Sequence, residues 1–383
     1  MRISRLRRPA KRSGQEDTMK YWQSLLSKGY KDIESLQKLF SIPPEEIQSL
    51  KIIQEQYPVF VNPYYLYLID RTDPNDPIQK MSIPSIEELN KTGSFDTSGE
   101  QSNTVLPGLQ HKYNETVLLL STNQCAMYCR HCFRKRLVGL TEDEICSKIG
   151  EITSYILKHP EINNVLISGG DAFMNSNETI SRYLSALCSI PHLDFIRFGT
   201  RTPVVLPQRI TSDSELTDLL RIYSQKKKIY VVTQFNHPKE ITYESTAAVE
   251  ALLTNGIPVR NQTVLLKGVN DDSSVLGQLL RQLTSIGVLP YYVFQCRPVT
   301  GVMNHFQVPL RRGYRIVQDA SQMQNGQGKS FRFMMSHVSG KIEILGPLDG
   351  DHENMLFKYH QAKDPADAGR LFVQEIAEDQ CWL

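Results

Sequence analysis

The stretch QCAMYCRHCFRKR, residues 124–136, holds three cysteines in eight positions, with Arg130, Arg134, Lys135 and Arg136 crowded around them. Cys125, Cys129 and Cys132 make the spacing C-x3-C-x2-C, and three chemistries compete for it. Structural zinc wants four ligands on one ion, with His131 or a distant cysteine as the fourth. Such sites usually pair two C-x2-C halves, and no second half is present. Unligated core cysteines sit poorly beside so many cations. A [4Fe–4S] cluster held by three thiolates leaves one iron open to a small molecule, and thiolate charge accounts for the neighbouring cations. The other four cysteines, Cys146, Cys188, Cys296 and Cys381, are scattered along the 383 residues. No disulfide framework is expected from them, and a reducing cytoplasm is the default location.

The cysteine loop must be placed by the elements around it. From residue 115 onward, short β-branched or aromatic runs alternate with amphipathic helical segments. ETVLLLST, NNVLISGGD, DFIRFGTRTP, KIYVVTQFN, PVRNQTVLL and PYYVFQC read as six strands with five intervening helices. Each βα unit is roughly 30 residues long, the size of a parallel crossover. Near-continuous apolar strands argue for burial on both faces. The fold class is therefore α/β, a doubly wound sheet or a partial TIM-like barrel, with its active site at the C-terminal strand ends. The chemistry-bearing residues do fall there: the cysteines after the first strand, SGGD after the second, TRTP after the third and QFNHP after the fourth.

Around this core, residues 1–18 read as a basic tail without structure, residues 19–110 as a helical N-terminal region, 111–300 as the core and 301–383 as a C-terminal region. The tail has no apolar segment of the kind a secretory signal needs, and Met19 is an alternative start. Removing its six Lys/Arg turns the formal charge of +2 into −4, so the balance gives no case for a nucleic-acid surface. No apolar run approaches the ~20 residues of a membrane span. DIESLQKLF and SIPPEEIQSLKIIQEQ carry helical spacing and start signals. NKTGSFDTSGEQSNT, residues 90–104, is polar and rich in Gly and Ser, and reads as a loop or linker.

Seven stretches together resemble the lysine 2,3-aminomutase family of radical S-adenosylmethionine (SAM) enzymes: NPYYLYLIDRTDPNDPIQK, CAMYCRHCFRKR, VLISGGDA, RTPVVLPQRIT, FNHPKEIT, NQTVLLKGVND and YYVFQCRP. The stretches lie between residues 62 and 298, and the resemblance extends over about residues 55–346. The resemblance implies a partial (β/α)6 radical SAM barrel with an N-terminal helical extension and a short C-terminal segment carrying a lysine for pyridoxal 5′-phosphate (PLP). It implies an isomerase that moves an amino group from C2 to C3, with a [4Fe–4S] cluster, SAM and PLP as cofactors. Carried over residue by residue, Cys125, Cys129 and Cys132 would hold the cluster. Ser168, Gly169, Gly170, Asp171, Gln234, Asn236, His237 and Gln262 would contact SAM. Arg134 would pair with the substrate α-carboxylate. Lys112 would meet the PLP phosphate, and Lys341, aligned without gaps from QCRP, would bind PLP itself. A surface lysine at position 112, and a hairpin turn at SGK with an exposed lysine, are the plain structural readings of the last two.

The resemblance departs at the substrate. Lysine-specific members carry two aspartates for the ε-ammonium, where this chain has Arg297 and Met334. A guanidinium repels an ammonium and suits an anion, so glutamate or another non-lysine amino acid becomes the expected substrate. Lysine, with Asp349 or Asp351 supplying the contact, stands second. A radical SAM enzyme without PLP would keep the cysteine loop and leave Lys341 as a hairpin lysine. A zinc-stabilised nucleic-acid-binding protein would use CRHCFRKR as a basic loop and leave SGGD and FNHP without purpose. A low-potential electron donor such as ferredoxin or flavodoxin is the expected partner, with no nucleic acid and no membrane. Cys381 stands alone where some members have a cysteine-rich tail for dimer contacts, which leaves a homo-oligomer open.

Overall fold

The computed structural model describes residues 19–140, 143–348 and 351–383. The basic tail expected over residues 1–18, together with Asp349 and the Asp351 side chain, lies outside the described residues. Among the described residues, twelve strands form one sheet in strict chain order. They are β1 (Thr104–Leu106), β2 (Leu109–Tyr113), β3 (Thr116–Leu120), β4 (Asn164–Ser168), β5 (Phe195–Gly199), β6 (Lys228–Thr233), β7 (Val259–Leu265), β8 (Leu289–Gln295), β9 (Arg332–His337), β10 (Gly340–Leu348), β11 (Asp351–Ala362) and β12 (Leu371–Glu375). From β3 to β9 every neighbouring pair is parallel. The flanks β1–β3 and β9–β12 are antiparallel. β1 and β12 are the edges, so the sheet curves without closing, as a partial barrel does.

The six expected strands are β3 to β8. β9 extends the parallel set by one more, and the C-terminal segment is a four-stranded antiparallel extension rather than a short hairpin. β1 and β2 have no counterpart among the expected strands; both lie in or beside the stretch that reads as a linker.

Six helices cross over between the parallel strands: α1 (Ile149–Leu157), α2 (Asn177–Cys188), α3 (Ser214–Ser224), α4 (Tyr243–Thr254), α5 (Ser273–Ser285) and α6 (Leu310–Gln322). Each buries an apolar stripe at helical spacing, such as Ile180, Leu184 and Leu187 on α2 and Leu276, Leu280 and Leu283 on α5. Side chains cap the starts of both: Ser176 accepts from Thr179 N, and Asp272 from Ser274 N and Val275 N. The outward faces of the strands pack under these helices. The inward faces do not meet one another, contrary to the two-sided burial that their apolar runs suggest. On β7 Val259, Asn261, Thr263 and Leu265 are buried, whereas Arg260, Gln262 and Val264 between them are only half-buried. The inward set is left free to line a cavity.

The N-terminal helices form where their signals lie. Asp32 caps Ile33–Gln37 by accepting from Ser35 N, and Pro44 opens Pro44–Gln56 with Glu45 and Glu46 in its first turn. This region braces the cysteine loop. Tyr128 N donates to Phe60 O (2.9 Å) and Arg130 N to Met81 O (2.9 Å). Asn62 Nδ2 donates to Ala126 O (2.9 Å) and Val205 O (2.8 Å), tying the loop to the segment after β5. Among the described residues, no helix is long and apolar enough to cross a membrane.

Candidate active site

A cavity of ≈360 Å³ runs down the inside of the curved sheet, from the cysteine loop at the rim to Arg197 on β5 and Lys341 on β10. Cys125, Cys129 and Cys132 share its wall as free thiols. Burial and the neighbouring thiols raise Cys125 well above the ordinary thiol range and Cys132 to about 11. Metal binding is what draws such protons off. Among the described residues, no three His, Cys, Asp or Glu side chains converge tightly enough to hold one metal ion. Structural zinc gathers its ligands on one atom; thiolates around a cube each take a separate iron. His131 turns its Nε2 to the amides of Gln234 (3.0 Å) and Asn236 (3.2 Å) instead of joining the thiols. The loop fits a cluster.

The loop's own cations have carboxylates as their direct partners. Arg130 donates to Glu88 through Nε and Nη2 (2.9 and 2.5 Å), and Lys135 donates to the same carboxylate. Lys135 also sits 4.5 Å over the Tyr57 ring. Despite burial, this double pairing holds Glu88 at about 2. Arg134 Nε donates to Glu100 Oε1 (3.0 Å) and Arg136 Nη2 to Glu100 Oε2 (2.9 Å). The expectation that thiolate charge explains these four cations is therefore only part of the account: acids from the N-terminal region are their direct partners, while Arg134 and Lys135 also act electrostatically on the thiols. The cation on a thiol comes from TRTP instead. Arg201 Nη1 lies 2.8 Å from Cys129 Sγ.

The SGGD backbone passes hard against the loop. Gly170 N donates to Thr122 O (2.5 Å) and Asp171 N to Gln124 O (2.8 Å). Gly169 has a φ of +124°, and a Cβ there would lie 2.3 Å from Thr122 O, so only glycine fits. Ser168 and Asp171 also line the cavity. The Asp171 carboxylate is nevertheless filled from within: Oδ1 accepts from Thr200 (2.5 Å) and Thr202 (3.0 Å), and Oδ2 from Arg201 N (2.7 Å). Of the polar residues following β6, only Gln234 reaches the cavity wall, joined there by Gln262 from β7. Asn236 is wholly buried behind the wall, accepting from Val264 N (3.0 Å), and His237 caps the turn that follows, accepting from Lys239 N (3.1 Å). The fold does not bring these two to the cavity.

The opposite wall has a different character. Lys341 follows Gly340 in the β9–β10 hairpin, yet its side chain enters the cavity rather than solvent. Its Nζ donates to Gln361 Oε1 (3.0 Å) and lies over the Tyr292 and Tyr113 rings. Burial, then Arg197, Lys112 and Arg297, lowers its ammonium to about 7, so it can act as a free amine near neutrality. Lys112 on β2 donates to His337 O (2.6 Å) and Ser98 O (3.2 Å), bridging the open side of the barrel. Burial and Arg297 bring it to about 7 as well.

Arg134 and Arg297 lie over the same Phe133 ring, 4.5 and 4.2 Å from its centroid. Arg297 Nη2 donates to Ser336 Oγ (2.8 Å), while its Nη1 is buried without a partner. On β5, Arg197 Nη2 donates to Asn164 Oδ1 (2.5 Å) and its Nε is likewise buried without a partner. Met334 is fully buried in the core and does not reach the cavity. Orphaned buried cations and a near-neutral lysine fit an anionic aldehyde such as PLP.

Arg197, Glu88 and Glu100 join the site without any local motif to announce them, whereas Arg201 lies in TRTP and Glu240 in FNHPKEIT, neither of them singled out as a site residue. Tertiary pairing selects Glu88 and Glu100, and their one sequence signal is the surplus of cations in the loop they neutralise.

No family model matches the chain. An L-lysine 2,3-aminomutase of Clostridium subterminale is 41% identical over 78% of this chain and 71% of its own length. A glutamate 2,3-aminomutase of Clostridioides difficile is 40% identical over 79% and 71%. An Aquifex aeolicus protein provisionally named an L-lysine 2,3-aminomutase is 40% identical over 94% and 95%. Among solved structures, a radical SAM methyltransferase from Sphaerobacter thermophilus covers 59% of this chain and 68% of its own at a TM-score of 0.40 and 15% identity, too loose a likeness to carry weight.

Proposed function

The chain belongs to the lysine 2,3-aminomutase family of radical SAM enzymes, and from that premise we propose that its substrate carries a second carboxylate, glutamate being the simplest case. As an aminomutase it is an isomerase, and the reading as a zinc-stabilised nucleic-acid-binding protein falls away. The observation that carries the substrate proposal is Arg297 Nη1, a buried guanidinium N–H without a partner in the cavity wall. The carboxylates in that wall, Glu100 and Asp171, are already engaged by Arg134 and Arg136 and by Thr200, Thr202 and the Arg201 N–H. An ammonium entering here would meet Arg134, Arg297, Arg197 and two lysines and find no open acid.

The [4Fe–4S] cluster, SAM and PLP that the family implies supply, when bound, the radical and the conjugated ring that lets nitrogen migrate. The chain's part is position and charge. Cys125, Cys129 and Cys132 would hold the cluster at the rim. Lys341 Nζ, brought to about 7 and so available in part as the free amine near neutrality, would hold the aldehyde of PLP, with Lys112 and Arg197 as cations within the same cavity for its phosphate. Arg134, fixed on Phe133 by Glu100, would orient the α-carboxylate. Arg297 on the same ring would take the distal carboxylate.

The test is turnover of wild-type enzyme, reconstituted anaerobically with iron and sulfide and supplied with SAM and PLP, on glutamate and on lysine in parallel. Formation of β-glutamate faster than β-lysine is expected. The reverse order overturns the substrate assignment and restores lysine.

A further inference from the structure

The contact between Arg201 and Cys129 has no place in the substrate chemistry. Arg201 is 9% exposed and sits just past the end of β5, its five N–H bonds directed along fixed lines. Nε donates to Gln234 O (3.0 Å). Nη2 donates to Glu240 Oε1 (2.5 Å) and Tyr65 OH (3.2 Å). Nη1 points at Cys129 Sγ, 2.8 Å away. Glu240 is itself pinned, accepting from Tyr65 OH (2.7 Å), Asn236 N (2.6 Å) and His237 N (3.0 Å). Nε and Nη2 would anchor the side chain on their own. What Nη1 adds is a positive hydrogen-bond donor on the sulfur of a cysteine in the cluster loop.

We propose that Arg201 is a positioning residue that sets the reduction potential of the cluster through the Cys129 sulfur, with Glu240 as its counterweight. The inference rests on the reading of the three cysteines as cluster ligands. A thiolate bound to iron keeps lone pairs that accept hydrogen bonds, and such bonds and nearby charge tune a cluster's potential. Reduction adds one electron from a low-potential one-electron donor, breaks no bond and moves no proton. The added negative charge spreads over iron and sulfur. A guanidinium donating to that sulfur therefore stabilises the reduced form more than the oxidised form and raises the potential. The Glu240 carboxylate, on the far side of the guanidinium, cancels part of this effect. Arg201 and Glu240 thus pull in opposite directions, whereas a purely structural ion pair would respond to the loss of either partner in the same way.

The experiment is a redox titration of the reconstituted wild type, Arg201→Gln and Glu240→Gln proteins, followed by the cluster absorption and by EPR of the reduced form. Iron content is measured on each sample. Arg201→Gln is expected to lower the potential and Glu240→Gln to raise it, each by about tenfold in the reduction equilibrium, which is about 59 mV for one electron. Glutamine at 240 keeps an oxygen for the backbone donors, so Glu240→Gln decides the matter even where Arg201→Gln loses its fold. A potential in Glu240→Gln that stays put or moves down at full iron content overturns the inference. A wild type that takes up no iron–sulfur chromophore overturns the reading of the cysteines, and this inference with it.

Discussion

The rim of the cavity and its far wall are both rich in cations, and they treat them differently. Around the cysteine loop every cation has a carboxylate: Arg130 and Lys135 share Glu88, Arg134 and Arg136 share Glu100, and Arg201 has Glu240. On the far wall Lys341 meets an amide, Lys112 two carbonyls, Arg197 an amide and Arg297 a hydroxyl. None of these four has an ion pair among the described residues. The first arrangement fixes geometry, since a buried charge held by a bidentate or shared partner has nowhere to go. The second leaves desolvation uncompensated by the protein's own acids, which shows as depressed lysines on that wall. Anionic ligands entering there would offset it. The contrast therefore separates groups that build the site from groups that receive what fills it, with Arg134, paired at the rim yet lining the cavity, belonging to both sets.

The largest effect should come from the rim. Cys129→Ala removes one ligand and the acceptor for Arg201, and should abolish the cluster chromophore and SAM cleavage. The fold should stay largely intact, because the loop lies outside the layer of helices packed on the sheet. Full SAM cleavage by this variant would sink the cluster assignment.

Stability comes next, and it tests the contrast directly. Glu88→Ala strands Arg130 and Lys135 in a buried position, which should cost about 3–5 kcal/mol. Arg297→Met removes a cation with no direct ion pair, only the more distant field of Glu100 and Asp96, and should leave the ligand-free protein as stable or more so. Thermal or urea unfolding of the two ligand-free variants measures both. An Arg297→Met loss as large as that of Glu88→Ala would mean the far wall is as structurally committed as the rim.

The same comparison explains which parts of the site are legible in the sequence. The cysteine spacing, the double glycine of SGGD and the β-branched runs of β3 to β8 are local signals, each carried by a few residues. Residues 90–104 read as a loop or linker because Gly93, Ser94, Ser98 and Gly99 look like one. The segment is largely loop, as its residues suggest, but it folds onto the barrel rather than linking two units, with Glu100 reaching Arg134 and Ser98 receiving Lys112. Glu88 lies 42 positions before Arg130, and Glu240 lies 39 after Arg201. Pairing across such distances is decided by topology, which local pattern does not encode. Asn236 and His237 mislead in the opposite sense: they follow β6 closely enough to suggest the cavity, but the chain has already turned behind the wall.

Specificity is a smaller effect and belongs to the far wall alone. A charge-assisted contact from Arg297 to a side-chain carboxylate is worth about 1.5–3 kcal/mol, or roughly one to two decades in preference. Arg297→Asp should therefore reverse the order of glutamate and lysine turnover measured in parallel. Unchanged preference would show that Arg297 does not face the substrate's distal end, and the contrast between walls would lose its functional meaning.

The finest test is the pH at which the far wall accepts PLP. Burial and neighbouring cations lower Lys341 from 10.5 to about 7. Between those values the unfolded chain binds a proton that the folded chain has lost, so stability of the ligand-free protein rises with pH across this window. The destabilisation is fully present below about pH 7, where the buried ammonium is charged. The same shift governs reactivity, because only the free amine attacks an aldehyde. Borohydride fixation of PLP on the peptide containing Lys341 should climb with a midpoint near pH 7. Lys112, lowered to about the same value, is the internal control: its Nζ donates to two backbone carbonyls and should remain unlabelled. A midpoint near the ordinary lysine value would mean that the far wall is solvated after all. Label on Lys112 would place PLP at the open side of the barrel and move the receiving site away from the hairpin.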